Sequence, residues 1–302
     1  MKVIEVESLT KKYGKIIAID NVSFHVNKGE IFGYLGPNGS GKTTTVEILE
    51  CLRKPDSGRA RVLGYDLKEA NEIKKRIGVM PQNFAAFDLL TVEENVALVA
   101  RIYKRKKEDV KRVLDLLDLW EIRKRKYEDL SGGTQRRVGI AMALVNDPEV
   151  VFLDEPTVGL DPEIRRTVWQ VIIKLKEVGK TVFLTTHYIE EAERLCDRVG
   201  IIVKGKIVAI DSPRNLVNSL NLKYVVKVKK DPKVLSIIKD EAEIIEENGY
   251  FSIKTDNRLI ARKIAYELEM NGFEEIELKT PNLEDVFLKM IGAKITEAGE
   301  LA

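Results

Sequence analysis

Cysteine is nearly absent from this chain. Cys51 and Cys196 stand far apart and in no C-x-x-C spacing, which excludes a disulfide framework and a cysteine-built zinc site and fits a reducing compartment. No sign of charge dominates: 50 Lys and Arg against 48 Asp and Glu leave a formal +2, so no global field draws the protein to nucleic acid or anionic lipid. There is no run of about 18 apolar residues, so the chain is not expected to cross a membrane by itself. The opening stretch, MKVIEVESL, enters an alternating strand at once and carries no apolar signal core. Internal repeats and low-complexity tracts are missing too. What remains is 302 residues, 44% of them hydrophobic, enough for one sizeable core and a second, smaller one.

The pattern along the chain is that of an α/β protein. VIEVESL and NVSFHV alternate apolar and polar residues as half-buried strands do, and IFGYLG follows them. A helical pattern runs from Gly41 through KTTTVEILECL and stops at the turn KPDSG. RIGVMPQ reads as a strand, and a long helical stretch follows, from TVEENVALVARIY to DVKRVLDLLDLW. VVFLDEP and TVFLTTH are apolar along their length, as central parallel strands are. With the helix PEIRRTVWQVIIKLKEVG between them they form a βαβ unit. RVGIIVKGKIVAI predicts a hairpin turning on Lys204-Gly205, and Ser212-Pro213 opens a helix. From about residue 221 the grammar changes to alternating strands (KYVVKVKK, YFSIKT, EEIELKT) separated by the helical DPKVLSIIKDEA and RLIARKIAYELEMNG. NLEDVFLKMIG closes as a helix capped by Asn282, with Asp285 three residues on. Residues 222–292 thus predict a small open-faced α/β domain, and the last ten residues a loose tail.

Three stretches carry chemistry. Gly36-Pro37-Asn38-Gly39-Ser40-Gly41-Lys42-Thr43 matches G-x-x-x-x-G-K-[ST], after a strand and before a helix, the context this phosphate-binding loop requires. Its glycines let successive backbone N–H groups converge on phosphate oxygens, and the helix N-terminus adds its positive end. Lys42 is placed for the β- and γ-phosphates and Thr43 for Mg²⁺. Asp154 and Glu155 end an apolar strand beside that loop. An Asp there can hold magnesium, directly or through water, and a Glu can orient and deprotonate an attacking water. The third stretch, LSGGTQRR, repeats the ingredients of an anion seat with Ser131, Gly132 and Gly133, ahead of a helix expected from about Arg136. The basic clusters KRKK (104–107) and RKRK (123–126) read first as a solvated helix face and second as groups near an anionic leaflet.

These motifs, in this order, resemble the nucleotide-binding subunit of an ABC transporter over roughly residues 1–220. The resemblance implies a P-loop NTPase core of mixed sheet and helices, with an antiparallel β subdomain and a helical subdomain inserted at about 84–135. It further implies that Tyr13 in KKYG stacks on adenine, and that Thr44 joins residues 36–43 in binding ATP. Gln82 in VMPQN matches the loop that touches metal and nucleophilic water, and Asp161 in GLDP the loop that crosses a dimer interface. His187 in LTTH matches the residue that contacts the γ-phosphate. In the family two copies pair head to tail, so Ser131, Gly132 and Gly133 would grip the partner's ATP. The chain departs from the pattern at Thr134, where glutamine is usual, and that puts any contact made by that glutamine in doubt.

The ending TPNLEDVFLKMIG resembles the ATPase subunits of drug-resistance exporters, and with them it implies that 221–292 is an accessory domain. The expected protein is a Mg-dependent ATPase, a homodimer or heterodimer on the cytoplasmic face of the membrane, driving export through a separate integral membrane permease, with no nucleic acid partner. Two other classes fit less well. ATPases of this type that act on ribosomes carry two cassettes, and those that act on DNA carry long coiled coils; here there is one cassette and no heptad insert. A GTPase or small-molecule kinase would need an N-K-x-D or a lid-type arginine set, and would leave LSGG unexplained.

Overall fold

The computed structural model describes residues 1–220, 222–238, 242–296 and 298–302. They divide into two compact units, Met1–Pro213 with Ile295–Ala302, and Arg214–Lys294. The division falls a few residues before the change of grammar at 221. The tail does not hang free of the fold: the Asn38 N–H donates to the Gly299 carbonyl at 2.5 Å and the Asn38 side-chain amide to that of Ala298 at 2.7 Å.

In the first unit β1 (Lys2–Tyr13), β2 (Ile16–Asn27) and β3 (Ile31–Leu35) precede helix α1 (Lys42–Leu49). Then come β4 (Ser57–Val62), β5 (Tyr65–Asp66), α2 (Ala70–Lys74) and β6 (Ile77–Met80). Three helices follow, α3 (Val92–Ile102), α4 (Lys107–Leu116) and α5 (Gly132–Leu144). The segment β7 (Val150–Asp154), α6 (Pro162–Glu177), β8 (Thr181–Thr186) is the expected βαβ unit. It is succeeded by α7 (Ile189–Leu195), β9 (Arg198–Val203) and β10 (Lys206–Asp211); α8 (Pro213–Ser219) then opens the second unit. Two sheets result. One is antiparallel, in the order β2-β1-β4-β5; the other runs β10-β9-β3-β8-β7-β6, parallel except for the β9–β10 hairpin. That hairpin turns on Lys204 and Gly205, both at positive φ. β3, β7 and β8 are buried at every residue, which is why their sequences are continuously apolar.

The sheets share one core. Phe24 of β2 stacks on Phe32 of β3 with centroids 5.5 Å apart, and Tyr34, Phe183 and Phe152 continue the cluster at 5.5–6.0 Å. These spacings suit offset and tilted aromatic packing. Because β3 lies between β8 and β9, the loop leaving its carboxyl end opens where the ends of β7 and β8 also point, the usual ligand crevice of a parallel sheet.

Two expectations change. The α5 helix begins at Gly132 with Ser131 as its cap, four residues earlier than residue composition suggests; the poor helix formers Gly132 and Gly133 hide its first turn. The long helical stretch is two helices, broken at Tyr103–Lys106, and the basic clusters flank them. Lys106 caps α4 and Arg123 lies over the Trp120 ring at 4.1 Å.

The second unit contains β11 (Tyr224–Lys229), α9 (Pro232–Ile237), β12 (Glu243–Glu247), β13 (Tyr250–Thr255), α10 (Arg258–Met270), β14 (Ile276–Lys279) and α11 (Leu283–Ile291). The strands form one antiparallel sheet, β12-β13-β11-β14, the split β-α-β arrangement. Val226, Val228, Phe251 and Ile253 pack against Ala261, Ile264 and Leu268 of α10. Asn282 and Asp285 form the expected capping box on α11. The expected continuation of the first helix over Lys239, Asp240 and Glu241 lies outside the described residues. No helix among the described residues is long and apolar enough to cross a membrane.

Candidate functional site: a phosphate loop closed by Glu155

A cleft at the carboxyl ends of the parallel strands is lined by Asn38, Gly39, Gly41, Lys42, Thr43, Thr44, Gln82 and Glu155, together with Ala18 from β2. The loop can make its turn only with glycine at the tight points. Gly41 has φ +105°, and a Cβ there would lie 2.3 Å from the Ala18 carbonyl oxygen; a Cβ at Gly36 would lie 2.2 Å from that of Ile202. The Lys42 ammonium, 4% exposed, donates to the Gly36 and Pro37 carbonyls at 2.8 and 3.1 Å and pairs with Glu155 at 3.0 Å.

Glu155 is the hub. Its second oxygen accepts from Gln82 Nε2 at 3.2 Å and faces His187 Nδ1 at 3.1 Å. Burial alone would raise its carboxyl, but the His187 hydrogen bond and the charge and hydrogen bond of Lys42 bring it below the ordinary value. Its backbone is left-handed at φ +48°, an unfavourable conformation for a residue with a side chain, kept only where the surroundings over-determine it. Its N–H donates to Thr185 Oγ1 at 3.0 Å, and the Thr185 hydroxyl donates in turn to Asp154. Asp154 also accepts from Thr43, and burial raises its carboxyl despite these hydrogen bonds.

Two buried polar atoms here have no protein partner, Ser40 Oγ in the loop and His187 Nε2. Buried polar atoms are ordinarily satisfied, so both point to a polar ligand that completes the site. The buried ammonium and these two atoms fit a polyphosphate. The Thr43 hydroxyl beside the Asp154 carboxylate suits a hard cation that takes few protein oxygens.

Not every residue singled out in the sequence enters the cleft. Tyr13 lies at the exposed end of β1 with the Arg53 guanidinium 5.5 Å from its ring centroid, and is not among the cleft-lining residues. Ser131 and Gly132 are exposed at the start of α5, with Ser131 Oγ 3.0 Å from Thr134 Oγ1. Asp161 caps α6, accepting from the Ile164 N–H at 3.0 Å. Sequence reasoning missed Thr185 and Arg136. Thr185 had one signal, a hydroxyl in an apolar strand adjoining the strand of Asp154. Arg136 had none, because its partners lie far away along the chain.

The family described as ABC transporter matches residues 19–158. Over 313 residues the chain is 34% identical to the linearmycin resistance ATP-binding protein LnrL of Bacillus subtilis, covering 97% of this chain and all of that protein. The chain belongs to the ATP-binding subunits of ABC transporters. It is also 37% identical over 304 residues to the Nod factor export ATP-binding protein I of Rhizobium meliloti, covering 97% of this chain and 89% of that one. Among solved structures, the dimeric post-hydrolysis state of the ATP-binding cassette MJ0796 bound to ADP and Pi superposes with a TM-score of 0.62 at 32% identity, covering 69% of this chain and 98% of that one. This chain is accordingly an ABC-type ATPase with the P-loop NTPase fold and a transport motor role.

Proposed function

We propose that the cleft hydrolyses ATP with Glu155 as general base, between two copies paired head to tail, and that the cycle drives export through a separate integral membrane permease. The observation that carries this is the setting of Glu155: a charged carboxylate held by Lys42, Gln82 and His187, beside two unpartnered buried polar atoms. Residues 36–44 cradle the phosphates, and Tyr13 at the rim stacks on the base. Thr43, Asp154 and Gln82 hold Mg²⁺, which supplies charge neutralisation across the phosphate oxygens. Glu155 accepts a proton from the attacking water as its oxygen bonds to the γ-phosphorus and the bond to ADP breaks. Lys42 and His187 stabilise the charge on the transferring group.

The second seat, Ser131, Gly132 and Gly133, faces outward and grips the partner copy's γ-phosphate, with Asp161 crossing the same interface. The reading draws support from the dimeric ADP-and-phosphate-bound cassette and from relatives named for resistance and export. The membrane permease, the Mg²⁺ and the cytoplasmic face of the membrane follow from the same family pattern. The residues that touch the transported substrate belong to the permease.

The test is the solution mass of Glu155→Gln by light scattering with and without MgATP, alongside its turnover. The expected variant binds ATP, loses hydrolysis by about 10²–10⁴-fold, and changes from monomer to dimer when MgATP is added. Turnover at the wild-type rate removes Glu155 as base. A monomer under both conditions removes the homodimeric form of the composite site.

A further inference from the structure

Arg136, on the first turns of α5, is half-buried and forms no ion pair with any described carboxylate. Its guanidinium instead donates to two backbone carbonyls, Gln82 O at 3.0 Å and Val158 O at 3.5 Å. A cation taken partly out of water without a counter-charge is unfavourable, so its retention calls for a role. Burial pushes its proton affinity below the usual guanidinium range, partly offset by Tyr127.

The two carbonyls belong to the two segments that flank the hub of the site. From Val158 the chain turns back on Glu155, whose carbonyl accepts the Val158 N–H at 3.3 Å. From Gln82 the side-chain amide reaches Glu155 Oε2 at 3.2 Å. Arg136 therefore closes a ring: Glu155, Val158, the guanidinium, Gln82, and Glu155 again. A planar fork suits this bridge because it presents two donors at fixed spacing, which an ammonium does not. The ring encloses a residue whose backbone, at φ +48°, depends on its surroundings to stay where it is.

We propose that Arg136 is a positioning residue for hydrolysis: by bridging Gln82 and Val158 it fixes the glutamine loop against Glu155, and its loss slows the chemical step without weakening ATP binding by the phosphate loop. This rests on Glu155 acting as the base.

The experiment is a double-mutant cycle on the full chain, measuring ATP turnover, nucleotide affinity and thermal melting for wild type, Arg136→Met, Gln82→Ala and the double variant. Arg136→Met should lower kcat by about tenfold, leave KM within about twofold, and leave melting near that of wild type. The double variant should turn over no slower than Gln82→Ala, because Arg136 acts through Gln82. Arg136→Lys, which keeps the charge but not the fork, should fall between wild type and Arg136→Met. Wild-type turnover in Arg136→Met, or rate losses that multiply in the double variant, would overturn the proposal. Losses of rate that simply follow a loss of melting temperature in both Arg136 variants would assign the residue to the fold instead. Glu155→Gln separates the two levels: if it is inactive while Arg136→Met is normal, only the positioning role falls; if it hydrolyses normally, the base itself was misassigned.

Discussion

Two glycine-bearing loops open helices in this chain, and they differ in what surrounds them. The loop before α1 is walled in: Lys42 and Glu155 are almost wholly buried, and Gly36 and Gly41 press against backbone carbonyls. The loop before α5 is open. Ser131 and Gly132 are exposed, the Ser131 hydroxyl has only Thr134 beside it, and of the loop's glycines only Gly133 is packed, where a Cβ would meet Ile164 at 2.2 Å. A helix N-terminus favours an anion in both places, but only the first is closed by a buried ammonium, a carboxylate and a histidine. The contrast is that between a complete site and half of one, which is why we read the second loop as serving a different copy's nucleotide.

The largest effect that could break this contrast is on turnover. Ser131→Arg should reduce hydrolysis by at least about a hundredfold, on the scale of removing a charge-stabilising donor, while equilibrium binding of ATP to the monomer stays near the wild-type value. Weakened binding in the monomer would mean that Ser131 belongs to its own copy's site. Next comes the matched pair Gly41→Ala and Gly132→Ala. The first forces a Cβ onto the Ala18 carbonyl at φ +105° and should cost about 2–4 kcal/mol, or about 5–10 °C in melting temperature. The second meets only the end of Leu160 at 3.3 Å and should melt within about 2 °C of wild type. Equal losses would erase the distinction between walled and open loops.

The smallest effect sharpens how deeply the first site is embedded. Glu50, at the far end of α1, has its carboxyl raised to about 8 by burial and by the nearby Asp154 and Glu47 charges. The folded protein therefore holds a proton there that the unfolded chain has released, and this stability, complete below about pH 4.5, is lost as the pH rises toward 8. Melting of Glu50→Gln should fall less steeply between pH 6 and 8.5 than that of wild type, a difference of about 1–3 kcal/mol across the range. Parallel curves would show that Glu50 is ionised at neutral pH in the folded state.

Much of this was legible in the sequence, for reasons that can be named. Continuous apolar runs gave β3, β7 and β8, because a strand buried on both faces has no polar side to show. The phosphate loop and the Asp154-Glu155 pair were legible because their chemistry depends on near neighbours in the chain. β4 went unmarked: in SGRARV only Ala60 and Val62 are buried, and its partner β1 is about 55 residues away. The short helices α2 and α7 were missed for want of length, as five and seven residues scarcely establish a period. Arg136 was invisible because its meaning lies in contacts 54 and 22 residues away, which no local pattern encodes.

The Lys42 ammonium has three N–H donors, and the Gly36 carbonyl, the Pro37 carbonyl and the Glu155 carboxylate take all three. A phosphoryl group that draws on this ammonium must compete with Glu155 for it. As it succeeds, the carboxylate loses its nearest positive neighbour, and its affinity for a proton rises. With Glu155 as the proposed base, basicity is thereby made conditional: the carboxylate is restrained by the same cation that we propose the substrate claims. One side chain in this way sets an order of events, occupancy first and reactivity second, much as an interlock keeps a machine from starting before its guard is closed.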